Sequence, residues 1–106
     1  MRVLFDHNVP KKLRRSLAAH EVRTAQEMCW QQLENGDLLT AAERAGFEVM
    51  VTGDKNLSYQ QNLTDRKLAL VVLGTNDWNV LKLWPELVAA AVDRARPGSF
   101  ERVEAA

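Results

Sequence analysis

The sequence predicts an α/β protein of one domain, with a mostly parallel central sheet of four to five strands connected by helices. Three observations favour this fold class. Apolar runs of strand length alternate along the chain with segments of helical periodicity. The length of 106 residues and the apolar content of 46% suit one domain with its own core. The first and third apolar runs each end close to an aspartate, and α/β proteins bind ligands at the carboxyl ends of their strands.

Strands are predicted where short runs rich in β-branched and apolar residues lie between turn-forming residues. These runs cover residues 2–5, 21–25, 48–52 and 68–73. The tail, residues 99–104, is expected to add an edge strand. Because helical segments separate the first four runs, the sheet is expected to be mostly parallel.

The first helix is predicted to begin at Val9 or Pro10 and to end at Ala19. Asn8 is expected to cap this helix, and Pro10 lies in its first turn. Leu13 and Leu17 have the i, i+4 spacing of side chains that face a sheet. The basic residues of the same segment are then expected to face outward.

The later helices are predicted from the same signals. One spans about residues 37–45 and ends at Gly46, which supplies a left-handed stop. The polar stretch 57–66 is expected to form a short helix. The last helix begins at Trp84 or Pro85, because proline suits the first turn of a helix.

Charge and composition exclude some classes of partner. The chain carries 14 basic and 14 acidic residues, so strong indiscriminate attraction to nucleic acid or to an anionic membrane is not predicted. Residues 1–23 nevertheless hold six basic and two acidic residues, which is a local excess of +4. We find no basic leader and no apolar stretch of about 18 residues, and therefore expect a cytoplasmic protein without a membrane partner. The single cysteine, Cys29, excludes an internal disulfide and argues against structural zinc.

Three aspartates are the candidate functional residues. Asp6 ends the first apolar run, Asp54 follows the third, and Asp37 begins the helix that leads into the third. If the first and third strands share one parallel sheet, all three acids lie at one edge, where their mutual repulsion calls for a cation. Carboxylates without a thiolate or imidazole cluster suit Mg²⁺ or Mn²⁺, and water bound to such a metal could attack a phosphodiester.

Each aspartate also has a structural explanation. Asp54 follows a glycine and has the composition of a turn. Asp37 suits the N-terminus of a helix through the helix dipole. Asp6 could accept hydrogen bonds from backbone donors of the next helix. Their convergence at one sheet edge is what favours function over three separate structural roles.

Three stretches of the chain carry a resemblance to a known family. They are Val3-Leu4-Phe5-Asp6-His7-Asn8-Val9-Pro10, Gly36-Asp37-Leu38-Leu39 and Val51-Thr52-Gly53-Asp54-Lys55-Asn56-Leu57. In these stretches the chain resembles the small PIN-like domains, specifically short proteins of unknown function related to toxin-type PIN nucleases. The resemblance implies a three-layer fold with strand order 3-2-1-4-5 and a Mg²⁺- or Mn²⁺-dependent ribonuclease, a hydrolase, with Asp6, Asp37 and Asp54 as the matching acids. The chain departs from the family at a further acid, usually a glutamate, and the candidates to substitute for it are Glu27 and Glu34.

In such a nuclease each residue has an expected role. Asp6 and Asp54 would ligate the metal, and Asp37 would be a third ligand or the base for the attacking water. Donors behind these carboxylates would hold them in place: Asn8, Thr52 and Asn56. RNA phosphates are expected to contact a basic set: Lys11, Lys12, Arg14, Arg15 and Lys55.

Three functions stay open. The first is a metal-dependent endoribonuclease, the toxin-like half of a toxin–antitoxin pair, with RNA as its substrate and an antitoxin protein or a second copy of the chain as candidate partners. The second is a PIN-like module that binds RNA or protein without cleavage. The third is a receiver-like phosphoacceptor, which fits less well because His7 stands where such a site wants a second acid. Trp30 and Trp78 are expected in loops, where an exposed indole serves an interface.

Overall fold

The structure, a computed structural model, describes residues 1–33, 35–53, 66–75 and 77–103. The strands within these ranges are β1 (Arg2–Phe5), β2 (Glu21–Thr24), β3 (Val49–Thr52), β4 (Ala69–Leu73) and β5 (Phe100–Val103). The helices are a 3₁₀ helix (Lys11–Leu17), α1 (Asn35–Arg44), α2 (Trp78–Leu81) and α3 (Pro85–Arg94). The short helix expected over residues 57–66 lies, apart from Arg66, outside the described residues.

The strands form one sheet in the order β2-β1-β3-β4-β5, and every neighbouring pair is parallel. The α/β class with a parallel sheet is therefore confirmed, and the tail contributes the expected edge strand. The expected order 3-2-1-4-5 is wrong, because β3 lies between β1 and β4 instead of beyond β2.

The burial of the strands explains this order. All four residues of β3 are buried, so β3 needs a neighbour on each side and a helical layer on each face. In β2, Val22 and Thr24 are buried whereas Glu21 and Arg23 are exposed. Such alternation suits an edge strand, where charged side chains also discourage further pairing.

Side chains of the strands alternate between two apolar layers. One layer holds the 3₁₀ helix and α3 against one face of the sheet, with Val3, Phe5, Val49, Val51 and Val71 pointing into it. The other layer holds α1 against the opposite face, with Leu4, Met50, Leu70 and Val72 pointing into it. The connections from β1 to β2 and from β2 to β3 therefore cross opposite faces of the sheet.

The first helix differs from the expected one. It is a 3₁₀ helix that begins at Lys11, and Pro10 occupies the N-cap position without a side-chain cap. Leu13 and Leu17 are buried as predicted. Asn8 is not the cap, because its side-chain oxygen accepts a hydrogen bond from the Gly53 amide.

The ends of α1 follow from local chemistry. This helix begins two residues before the expected start and ends before Gly46, whose φ of 86° confirms the predicted left-handed stop. The guanidinium of Arg2 donates a hydrogen bond to the Ala45 carbonyl and lies 4.4 Å from the centroid of the Phe47 ring. Arg2 therefore satisfies a backbone acceptor that the end of the helix leaves open.

Two helices follow β4. Trp78 does not lie in a loop as expected but begins α2, whose N-cap is Asp77. Pro85 begins α3 as expected, and Trp84 is buried at its N-cap. None of the helices in the described parts of the chain is long and apolar enough to cross a membrane.

Candidate functional site

The carboxyl ends of β1 and β3 lie side by side. From β1 the chain crosses one face of the sheet to reach β2, then returns over the other face through α1 and enters β3 on the far side of β1. The chain thus reverses its direction across the sheet between β1 and β3. Open α/β sheets bind ligands in the crevice that forms at such a switch point.

Asp6 lies at this switch point, directly after β1. Its side chain is buried, with 7% of the residue surface exposed. Its Oδ2 accepts a hydrogen bond from the Thr52 hydroxyl at 2.7 Å, and its Oδ1 accepts one from the His7 amide at 2.7 Å. Its own amide donates to the Val51 carbonyl at 2.9 Å. The carboxylate is therefore fixed between the ends of β1 and β3.

The charge of Asp6 has no partner among the described residues. No lysine, arginine or histidine nitrogen of these residues lies within ion-pair distance of its carboxylate. A carboxylate offers about four acceptor positions, of which the two hydrogen bonds use two. A buried carboxylate without a cation is costly. Among the described residues, the Asp6 carboxylate thus has oxygen lone pairs without a donor, of the kind that a hard divalent cation prefers.

Asn8 makes a second connection between the two strand ends. Its Oδ1 accepts a hydrogen bond from the Gly53 amide at 2.9 Å. Asn8 was expected to hold a carboxylate, but within the described parts of the chain its side chain holds the backbone directly before Asp54. Asp54, Lys55 and Asn56 lie outside the described residues.

Asp37 lies in the first turn of α1 and is exposed. It makes no hydrogen bond or ion pair with a described residue, and no described contact joins it to Asp6. The helix dipole alone favours an acid here. The residues that the structure describes include no group of three His, Cys, Asp or Glu placed to hold a metal.

Glu27 is committed to other partners. It accepts a hydrogen bond from the Thr24 amide at 2.8 Å, and its own amide donates to the Thr24 hydroxyl at 3.1 Å, which is the reciprocal pattern of a capping box. Its carboxylate also pairs with Arg14 at 2.5 Å. The hydrogen bond from the Thr24 amide holds the pKa of Glu27 below its ordinary value of 4.5. Burial opposes this shift, and the Arg14 guanidinium adds to the lowering of the pKa. Glu27 is therefore not a free ligand, and Glu34 lies outside the described residues.

The four basic residues of the 3₁₀ helix divide into two groups. Arg14 is half-buried and its charge is balanced by Glu27. Lys11, Lys12 and Arg15 are exposed and make no ion pair with a described residue. Only the second group therefore has charge to offer to a phosphate.

Sequence reasoning missed two features of this edge. The motif Thr24-x-x-Glu27 is a recognisable capping signal, and it fixes the turn after β2. Asp77 likewise caps α2, because its Oδ1 accepts a hydrogen bond from the Asn79 amide at 2.9 Å. Both signals were present in the local sequence.

No family model, no curated protein and no solved structure matches this chain.

Proposed function

We propose that the protein is a metal-dependent ribonuclease whose centre lies around Asp6, at the edge shared by β1 and β3. One observation carries this proposal. Asp6 is a buried carboxylate at a topological switch point, it is held by two donors, and it has no cationic partner among the described residues. A purely structural aspartate at this depth is normally neutralised by a partner.

The donor set suits Mg²⁺ or Mn²⁺. These ions accept one or two carboxylates together with water and substrate phosphate. Asp6 would supply the anchored carboxylate, and Asp37 and Asp54 are the further acids of the proposed set. A cation at this position would supply an activated water and stabilise charge on the leaving oxygen. Thr52 and Asn8 keep the Asp6 carboxylate and the Gly53 backbone in place, and Asp37 would act as third ligand or base.

The proposal of RNA as substrate has two supports. The chain resembles toxin-type PIN nucleases in the stretches around Asp6, Asp37 and Asp54. Lys11, Lys12 and Arg15 follow β1 and make no ion pair with a described residue, and such positive charge contributes sequence-independent affinity for phosphates. The same resemblance suggests a toxin-like role, with an antitoxin protein as partner and a cytoplasmic location.

One observation favours a second candidate. The strand order β2-β1-β3-β4-β5 is that of flavodoxin-like domains, which include receiver-type phosphoacceptors. Such a domain would be phosphorylated on an acid at this edge. His7 in place of a second acid after β1 disfavours this function.

The deciding experiment measures RNA cleavage by purified protein. A labelled single-stranded RNA of mixed sequence is incubated with the wild type in Mn²⁺, in Mg²⁺ and in chelator, alongside the double variant Asp6→Asn/Asp54→Asn. Asp77→Asn is the matched control, since it removes one carboxylate that follows β4, and asparagine caps a helix as well as aspartate. We expect metal-dependent cleavage that the double variant reduces by at least about 100-fold and that the control leaves unchanged.

A second readout tests metal binding without catalysis. Mn²⁺ at ten times its dissociation constant should stabilise the wild type by about 1.4 kcal/mol, and the double variant by much less. RNA cleavage by the double variant, or by the wild type in chelator, contradicts a metal-dependent ribonuclease centred on Asp6. If the wild type does not cleave RNA but incorporates phosphate from a small phosphodonor, the result supports the second candidate. If the wild type binds RNA without cleaving it, the result supports a binding module that has no nuclease activity.

A further inference from the structure

Lys12, which is exposed, and Trp78, which is partly buried against the apolar core, form a cation–aromatic contact beside the Asp6 edge. The Nζ of Lys12 lies 6.0 Å from the centroid of the Trp78 ring. Lys12 follows the carboxyl end of β1, and Trp78 follows the carboxyl end of β4. Their neighbours Leu13 and Leu81 are buried in the same apolar layer, so both residues flank the sheet on the same face.

The contact is weak enough to be exchanged. A distance of 6.0 Å is at the outer limit of a cation–aromatic interaction, and a pair whose cation is exposed to water is worth a factor of about two to five in an equilibrium constant. Stacking of a nucleic-acid base on an aromatic ring raises the binding constant by a factor of about 5 to 150. A base can therefore take the place of the lysine on the indole, and the lysine is then free for a phosphate.

The 3₁₀ geometry aligns a second cation with Lys12. Residues three apart eclipse one another in a 3₁₀ helix, with a rise of roughly 6 Å between them. Arg15 therefore stands in line with Lys12 along the helix, and both are exposed. Arg14, by contrast, is held by Glu27. The two aligned cations form a short track that begins next to the Trp78 ring.

We propose that Trp78, Lys12 and Arg15 bind single-stranded RNA, with one unpaired base stacked on Trp78 and neighbouring phosphates on Lys12 and Arg15. This inference rests on the proposed function, since it names the substrate class of that site. A base must leave the duplex stack before it can lie on an aromatic side chain. The platform thus selects single strands over duplexes.

Binding is measured in chelator, so that no cleavage occurs. Fluorescence anisotropy compares three ligands: a single-stranded RNA decamer, the same sequence as a duplex, and a ribose–phosphate decamer without bases. The wild type should bind the first most tightly. Trp78→Leu should weaken its binding by about 5- to 150-fold and leave the ligand without bases unchanged.

The cations have a different signature. Lys12→Gln and Arg15→Gln should weaken all three ligands and each reduce the slope of log affinity against log salt by about 0.7. Lys67→Gln is the matched control, because Lys67 is an exposed lysine before β4, at the opposite edge of the sheet. Trp78→Phe keeps a ring in place should the leucine variant fail to fold, and it should remove the quenching of tryptophan fluorescence that RNA produces in the wild type.

The outcomes separate this inference from the nuclease. The platform is overturned, even if Asp6-dependent cleavage is found, by equal affinity of the wild type for RNA with and without bases. Unchanged binding by a folded Trp78→Leu variant, or undiminished quenching in Trp78→Phe, overturns it as well. Base-dependent binding that requires Trp78 supports the platform even if no RNA is cleaved, and the nuclease alone is then rejected.

Discussion

Thr52→Val tests the hydrogen bond that holds Asp6. The substitution keeps the shape of a side chain that is fully buried and removes the hydroxyl that donates to the Asp6 carboxylate at 2.7 Å. A hydrogen bond to a charged group contributes about 1.5–3 kcal/mol. The buried carboxylate would lose one of the two hydrogen bonds that it accepts from described residues. We expect the free energy of unfolding to fall by that amount at pH 7 without divalent cations, as measured by urea denaturation.

A double-mutant cycle attributes this loss to the pair. Thr52→Val in an Asp6→Asn background should cost less by at least about 1 kcal/mol, since the acceptor is then neutral. Thr24→Val is the matched control, because Thr24 is also a buried threonine at a strand end. Its hydroxyl, however, accepts a hydrogen bond from the neutral backbone amide of Glu27. If Thr52→Val costs no more than Thr24→Val, or if the cycle shows coupling below about 0.5 kcal/mol, the anchoring of Asp6 is refuted.

Two further predictions concern neighbours of this edge. Glu27→Gln should cost less than about 1 kcal/mol at pH 7, because the ion pair with Arg14 is partly exposed. The folded pKa of Glu27 is lowered, so its contribution is present above pH 4.5 and is lost as the pH falls through the folded pKa. Urea denaturation should therefore show wild type and variant converging below pH 4.5, and an undiminished difference at pH 3 would contradict this. Asn8→Ala should lower the free energy of unfolding by about 1 kcal/mol and speed hydrogen exchange of the Gly53 amide. Asn8→Asp keeps the acceptor oxygen and should preserve the protection of that amide. Equal exchange rates in the two variants would argue against this hydrogen bond.

Much of the fold could be predicted because each strand is a local pattern. The apolar runs that became β1, β3 and β4 lie within a residue of their expected ends. The strand order could also have been read from the sequence, since residues 49–52 are apolar on both faces and residues 21–24 alternate with charges. The family resemblance pointed to another order, and burial decided against it.

The sequence predicted only those parts of the candidate site that depend on a residue and its neighbours in the chain. Asp6 stood out because a charge ends a buried run. The role of Asn8 could not be predicted, because an asparagine side chain can either cap a helix or accept a hydrogen bond from a distant backbone amide. Which of these forms depends on Gly53, which is 45 residues away. The pairing of Arg14 with Glu27 likewise joins two segments whose proximity only the completed sheet creates.

The two hydrogen bonds across the β1–β3 edge define what the fold does for the site. Asp6 and Thr52 are 46 residues apart in the chain, so the carboxylate gains its donor only after both crossovers have formed. The same crossovers bury Asp6 and leave it without a cation among the described residues. Within the described residues, the electrostatic cost of burying Asp6 is therefore not offset, and a cation bound there would reduce it. Asp6 is therefore the acid on which the proposed chemistry is centred, since Glu27 already has its counter-charge and Asp37 is exposed to water.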